Sequence, residues 1–303
     1  MNRLFLLAAF SATFLHATAQ PDKQIDSYFQ EIRKGKRLPP PFSINDANSD
    51  KLVSSLIPYL NDSSEVVRSK DILVLKDIGI NSKQLAIRQK ITFHLVLCMT
   101  ANDLSRATAY SSLKKFAKED FNKAAKDSLL NFTDGKYPRR EELIKLIGFS
   151  GSPDAIEKIR KFSTAENPVP LRWSTLLALA RLGDQEAISS VLQRARKIKV
   201  NDEVVTQLFP DLVYTRQKQV IEYLVEVLMS DETNCESADN DNPTAILCGY
   251  RVMEQLAPAI KNYPLTLDAS GDIKTNDYKK SLEEIRNWFK QSNGSYIIDN
   301  RTF

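Results

Sequence analysis

Histidine, cysteine and glycine are all scarce in this chain of 303 residues, and each shortage closes off a class of function. With two histidines, His16 and His94, and three cysteines, the chain has few soft-metal ligands from which to gather the three or four that a zinc site requires. A serine nucleophile would have little histidine to activate it. Only 9 glycines are present, and there is no P-loop, no Rossmann glycine pattern and no H-E-x-x-H. No cofactor is implied. An excess of charge of one sign is also missing, because 42 Lys and Arg stand against 38 Asp and Glu. A dedicated nucleic-acid binder normally shows a strong basic excess on one face. The short clusters Arg33-Lys34-Gly35-Lys36-Arg37 and Arg194-Ala195-Arg196-Lys197 therefore read as solvated faces, and no nucleic-acid partner is expected. Past the first residues no stretch reaches ~18 uncharged apolar positions, so no integral membrane segment is expected there.

The beginning of the chain differs in kind. A basic start at Arg3, an apolar run over residues 4–15 and Ala17-Thr18-Ala19 before Gln20 have the three-part form of a secretory signal, cut after Ala19. The chain is expected to be exported, to the periplasm or beyond the cell. Removing residues 1–19 takes away His16 and leaves His94 as the one histidine.

What the chain has in abundance is helical spacing. Trp173, Leu176, Leu177 and Ala180 lie on one face of a helix, and Ile188, Val191, Leu192 and Ala195 repeat the pattern after a Gly183-Asp184 turn. The pattern returns at a period of about 33 residues, a sign of stacked helix pairs that bury their apolar faces only against each other. One step forward the second stripe falls on Ile221, Leu224, Val225 and Leu228. One step back the first falls on Leu143, Ile144 and Ile147, and Arg172 falls on Arg139. Earlier, Val53, Leu56, Ile57 and Leu60 form a stripe, a helix is expected from Glu65 to about Ile78, and further helices over residues 83–100 and 104–132. Pro210 lies inside a helix expected over residues 203–214 and should kink or end it.

Three segments resemble the HEAT-repeat family, and most closely its short bacterial subclass named after phycobilin lyases. Asp62-Ser63-Ser64-Glu65-Val66-Val67-Arg68 is similar to the family's turn and Val-Arg helix opening, and Asn167-Pro168-Val169-Pro170-Leu171-Arg172 is a variant of it. Leu179-Ala180-Arg181-Leu182-Gly183-Asp184-Gln185-Glu186-Ala187-Ile188 is similar to the end of that helix and the family's Gly-Asp turn. The resemblance implies an all-α fold, an α-solenoid wound as a right-handed superhelix of antiparallel helix pairs. Residues 42–262 would form it. Residues 20–41 would supply an N-terminal helix, with Ile25, Phe29 and Ile32 on its apolar face, and a stiff Pro39-Pro40-Pro41 linker. Residues 263–303 would add a capping helix, over about 276–291, and a tail. Arg68, Arg139 and Arg172 recur at matching sites and are expected to cap or bridge repeats.

Candidate chemistry is thin. Cys235 and Cys248 flank an acidic loop, and in an exported chain a disulfide between them is favoured over two free thiols. Such a bridge would stabilise by about 3 kcal/mol and hold the loop against a helix beginning near Thr244. The acids Asp231, Glu232, Glu236, Asp239 and Asp241 lack the order of a calcium loop, as does Asp268-Ala269-Ser270-Gly271-Asp272. His94 and Cys98, four apart on one helix, read as packed core. Gly148-Phe149-Ser150-Gly151-Ser152 is not a G-x-S-x-G elbow, and Ser111-Ser112-Leu113-Lys114-Lys115 lacks the companion motifs of a Ser-Lys enzyme. No metal ligand set or catalytic residue is named. The expectation is a non-enzymatic scaffold of the bacterial cell envelope whose partner is another protein. Two alternatives stay open: a ligand-binding or lyase-like enzyme, and a self-associating structural protein.

Overall fold

The computed structural model describes residues 20–42, 48–135, 137–152, 154–237, 244–268 and 271–303. The export signal and its cut, and Asp239, Asp241, Ala269 and Ser270, lie outside the described residues. Fourteen α-helices account for most of the described chain, which is all-α apart from one two-stranded ribbon and isolated bridges. No helix among the described residues is long and apolar enough to cross a membrane. The chain divides into two compact units, one ending at Phe116 and the other spanning Ala117–Phe303, a division inside the span read from sequence as one array.

The first unit holds α1 (Gln20–Arg33), α2 (Ser49–Leu56), α3 (Glu65–Asn81), α4 (Leu85–Cys98) and α5 (Leu104–Leu113). Helix α1 buries Ile25, Phe29 and Ile32 as their spacing dictates, and Phe29 stacks on Tyr59 with ring centroids 4.2 Å apart. Helix α3 is the hub: it packs on α1, α2, α4 and α5. Its Ile72, Leu75 and Ile78 are fully buried with Ile91 and Leu95 of α4. Each such side chain contributes about 1.5–3 kcal/mol. The helical stretch expected from residue 104 breaks after Leu113. Helix α5 starts on a cap, because Asp103 Oδ1 accepts from Ser105 N at 2.9 Å.

The second unit holds α6 (Lys123–Asn131), α7 (Arg140–Ser150), α8 (Ala155–Arg160), α9 (Val169–Arg181), α10 (Gln185–Arg196), α11 (Phe209–Thr215), α12 (Lys218–Met229), α13 (Gly249–Leu256) and α14 (Tyr278–Ser292). Helix α7 packs on α9, α9 on α11 and α11 on α13, while α10 packs on α12 and α12 on α14. Helices α7, α9, α10, α11 and α12 thus meet the next but one, and there are contacts between neighbours in sequence such as α9 with α10. The α7–α9 approach is close enough that a Cβ on Gly148 would sit 2.7 Å from the Cβ of Ala178. Asp211 of α11 ties the row together, accepting from Lys145 Nζ at 2.5 Å and Trp173 Nε1 at 2.8 Å. Gly183 takes a φ of 92°, which glycine tolerates without a Cβ clash, and Asp184 then caps α10 by accepting from Ala187 N at 2.8 Å.

Three local expectations need correction. Pro210 does not end the helix: a π-turn over Val204–Leu208 precedes it, and the chain continues into α11. The wider turn accommodates a residue that cannot donate a backbone hydrogen bond. The helix placed near Thr244 begins at Gly249, because Ala245–Ile246 (β2) first pairs antiparallel with Cys235–Glu236 (β1). Arg139 does not match Arg172 in place: Arg172 is the fourth residue of α9, whereas Arg139 precedes α7 with a left-handed φ of 54°. A turn carrying Pro138 delays the start of α7, so the shared apolar register holds while the arginine falls outside the helix.

Candidate functional site

Cys235 and Cys248 are joined by a disulfide, with Cα atoms 5.0 Å apart and Cys98 left as the free cysteine among the described residues. The bond closes the base of the ribbon β1–β2, where Cys235 pairs with Ile246. Two nearby acids are spent on structure. Asp231 pairs with Arg286 at 2.8 Å, and Asp202 holds Arg251 at 2.5 Å beside the ribbon. Among the described residues no three of His, Cys, Asp and Glu are gathered to hold a metal.

The remaining candidate chemistry converges in the first unit on a cleft of about 380 Å³. Its walls come from the turn after α2 (Asn61, Asp62), from Arg68 of α3, from His94 and Cys98 of α4, and from Asp103 before α5. His94 and Cys98 share a face, as their spacing requires, but that face is the wall of a cleft and both are half-buried, which corrects the packed-core reading. Burial, reinforced by the charge of Lys90, lowers the His94 pKa, so the ring is neutral near pH 7. Burial, with Asp71 nearby, pushes the Cys98 thiol up to about 12. A thiol so protonated is neither a nucleophile nor a metal ligand at neutral pH.

The charges at the cleft mouth are already paired. Arg68 donates to the carbonyl oxygens of Asp62 and, at 3.0 Å, of Ser63, and forms an ion pair with Asp103. The Ser105 hydroxyl, against the cost of burial, and then Arg68 hold the Asp103 carboxyl below the usual range. Asp62 in turn receives Arg33 and Ser64 N. Arg68 therefore spans from the turn before its own helix to the loop before α5, a bridging geometry. The cleft offers neutral donors and acceptors and no unpaired charge on Arg68, Asp62 or Asp103. The chain matches no family model and no curated protein.

The serine motifs are no better placed for catalysis. Ser112 is fully buried with no partner for its hydroxyl, while Lys115 is exposed, so the pair does not work together. Ser150 donates back to Ile147 O at 3.1 Å within α7. Arg172 is half-buried on α9, and Arg139 stands at the head of α7. Sequence reading passed over Asp71, which is completely buried at the centre of α3 with neither carboxyl oxygen hydrogen-bonded. The signal was there: Val67, Asp71, Val74, Leu75 and Ile78 share an apolar stripe, and an acid in such a stripe is out of place.

Proposed function

We propose that this chain is a non-enzymatic protein-binding module of the bacterial cell envelope, an α-solenoid of the HEAT type capped by residues 20–41 and 263–303. The observation that carries the reading is the packing of α7, α9, α11 and α13 in one row and of α10, α12 and α14 in another. With the period of about 33 residues, this is the arrangement expected of stacked helix pairs. Such stacks present long surfaces suited to extended contact with another protein. The Cys235–Cys248 disulfide supports residence in an oxidising compartment and so favours export. The protonated Cys98 and the paired charges around Arg68 favour binding over catalysis.

The test is affinity capture with residues 20–303 as bait against an envelope extract, followed by titration with the purified partner. One saturable protein partner is expected. An empty capture by a bait with native circular dichroism would refute the reading. A chromophore or small ligand retained through purification would instead support the lyase-like alternative, and a mass that rises with concentration in light scattering the self-associating one.

A further inference from the structure

The cleft of the first unit is lined by charges that cancel and by neutral groups that have no partner. Of the charged side chains on its wall, Arg68 is matched by Asp103 and Asp62 by Arg33. A charged occupant would lose its hydration against a wall that offers no counter-charge, so the complementary occupant is uncharged. Among the described residues neither ring nitrogen of His94 makes a hydrogen bond, and neither do the side-chain amides of Asn61 and Asn102. Ile57, Leu60 and Leu97 make up the apolar part of the wall.

The surroundings of the cleft are apolar too. Among the described residues of the unit, the two most exposed large apolar side chains are Leu104, at 62%, and Val66, at 60%. Leu104 follows Asp103 of the wall, and its N–H donates to Glu65 Oε1 at 2.9 Å, which brings the start of α3, with Val66, to the start of α5. Apolar side chains gathered beside a concave site mark an interaction surface. The cleft volume of about 380 Å³ is at the lower end of the roughly 300–1,000 Å³ of ligand pockets. That is room for one large side chain rather than for a helix. Tyrosine and tryptophan, each an apolar ring with one polar group, are the anchors favoured in such pockets. They differ at the polar group, because an indole N–H only donates whereas a phenol donates and accepts. His94 is neutral, with one ring nitrogen of each kind, so a phenol pairs with either nitrogen and an indole with one alone.

We propose that this cleft is the anchor pocket for a tyrosine side chain presented by a partner protein, its hydroxyl paired with His94 and its ring held by Ile57, Leu60 and Leu97. Val66 and Leu104 then pack against the partner surface around that tyrosine. The proposal rests on the protein-binding reading above and gives that reading a contact in the first unit.

The test uses residues 20–303, in which His94 is the one histidine and gives the one set of imidazole resonances. Titration with N-acetyl-tyrosinamide, a tyrosine with both ends blocked, should shift those resonances saturably and slow the modification of Cys98 on the same wall. N-acetyl-phenylalaninamide and the O-phosphorylated tyrosine amide should each bind at least tenfold more weakly. A His94→Phe chain, followed by Cys98 protection, should still bind but lose the preference for tyrosine over phenylalanine. Ala101 is half-buried on the wall, and an Ala101→Trp chain with native circular dichroism should bind neither amide. The absence of a saturable shift, or equal affinity for the tyrosine and phenylalanine amides, would overturn the proposal. With a captured partner in hand, the Ala101→Trp chain should bind it at least tenfold more weakly than the parent. A partner held equally well by both chains would overturn the cleft as its docking site and leave the binding-module reading standing.

Discussion

The two units bury charge in opposite ways. The first encloses a lone acid: Asp71 is out of water with both oxygens unpartnered, and the Oγ atoms of Ser69, Thr92 and Ser112 are buried without partners in the same unit. The second encloses cations, and there every guanidinium nitrogen of Arg216 has an acceptor, among them Asp299 O, Val213 O and Phe303 O. A carboxyl can escape its predicament by keeping its proton, and burial raises the Asp71 pKa well above the ordinary value. A guanidinium escapes far less readily, because its ordinary pKa is above 12. It must be hydrogen-bonded instead. The contrast teaches that Asp71 is tolerated by neutrality and Arg216 by geometry.

The largest effect should come from breaking the geometry. Arg216→Ala removes donors to Asp299 O, Val213 O and Phe303 O and unmoors residues 295–303. The expected loss is about 3–5 kcal/mol, read in urea by fluorescence, since Trp173 and Trp288 both lie in the second unit. Neutralising the first unit should act in the other direction. Asp71→Leu replaces two unpartnered oxygens with carbon and should stabilise by about 1–3 kcal/mol at pH 7, read by the rate at which urea exposes the Cys98 thiol. Arg68→Ala cuts the bridge from Ser63 O to Asp103 and should cost about 1–2 kcal/mol in the same thiol assay. The smallest change is expected for Arg172→Ala, ~0.5 kcal/mol by fluorescence. A loss there as large as that of Arg68→Ala would restore a common role for the recurring arginines.

Much of the architecture was legible because it depends on local chemistry. Ile25, Phe29 and Ile32 announced α1, and Gly183-Asp184 announced a turn. Cys235 and Cys248 announced their bond. The misses arise where a distant contact overrides local preference. The π-turn before Pro210 and the late start of α7 after Arg139 are choices among backbone shapes that spacing cannot rank. Ribbon pairing of Ala245 with Glu236 shortens the helix expected from Thr244, since a strand partner takes its first residues. His94 and Cys98 were assigned the right face and the wrong surroundings, because the cleft exists only once α3 and the loop before α5 are in place. Besides Tyr214 O and Val213 O, Arg181 and Arg216 find partners in residues 299–303, far along the chain, and nothing in either local sequence predicts those.

The contrast between the units turns on the protonation of Asp71, and its pH dependence is the most direct test. A carboxyl whose folded pKa is raised contributes stability that is complete below its unfolded pKa of about 3.9 and is lost as pH rises towards the folded value. Tyr28 of α1 and Cys98 of α4 feel the Asp71 charge, and His94, with a lowered pKa, changes stability with pH in the opposite sense. Comparing Asp71→Asn with the parent chain removes those shared contributions. The measurement is the difference in urea midpoint between the two, followed by the Cys98 thiol at pH 5 and pH 8. A variant more stable than the parent at both pH values, and by clearly more at pH 8 than at pH 5, is the predicted result. A difference that is the same at both pH values would contradict the account.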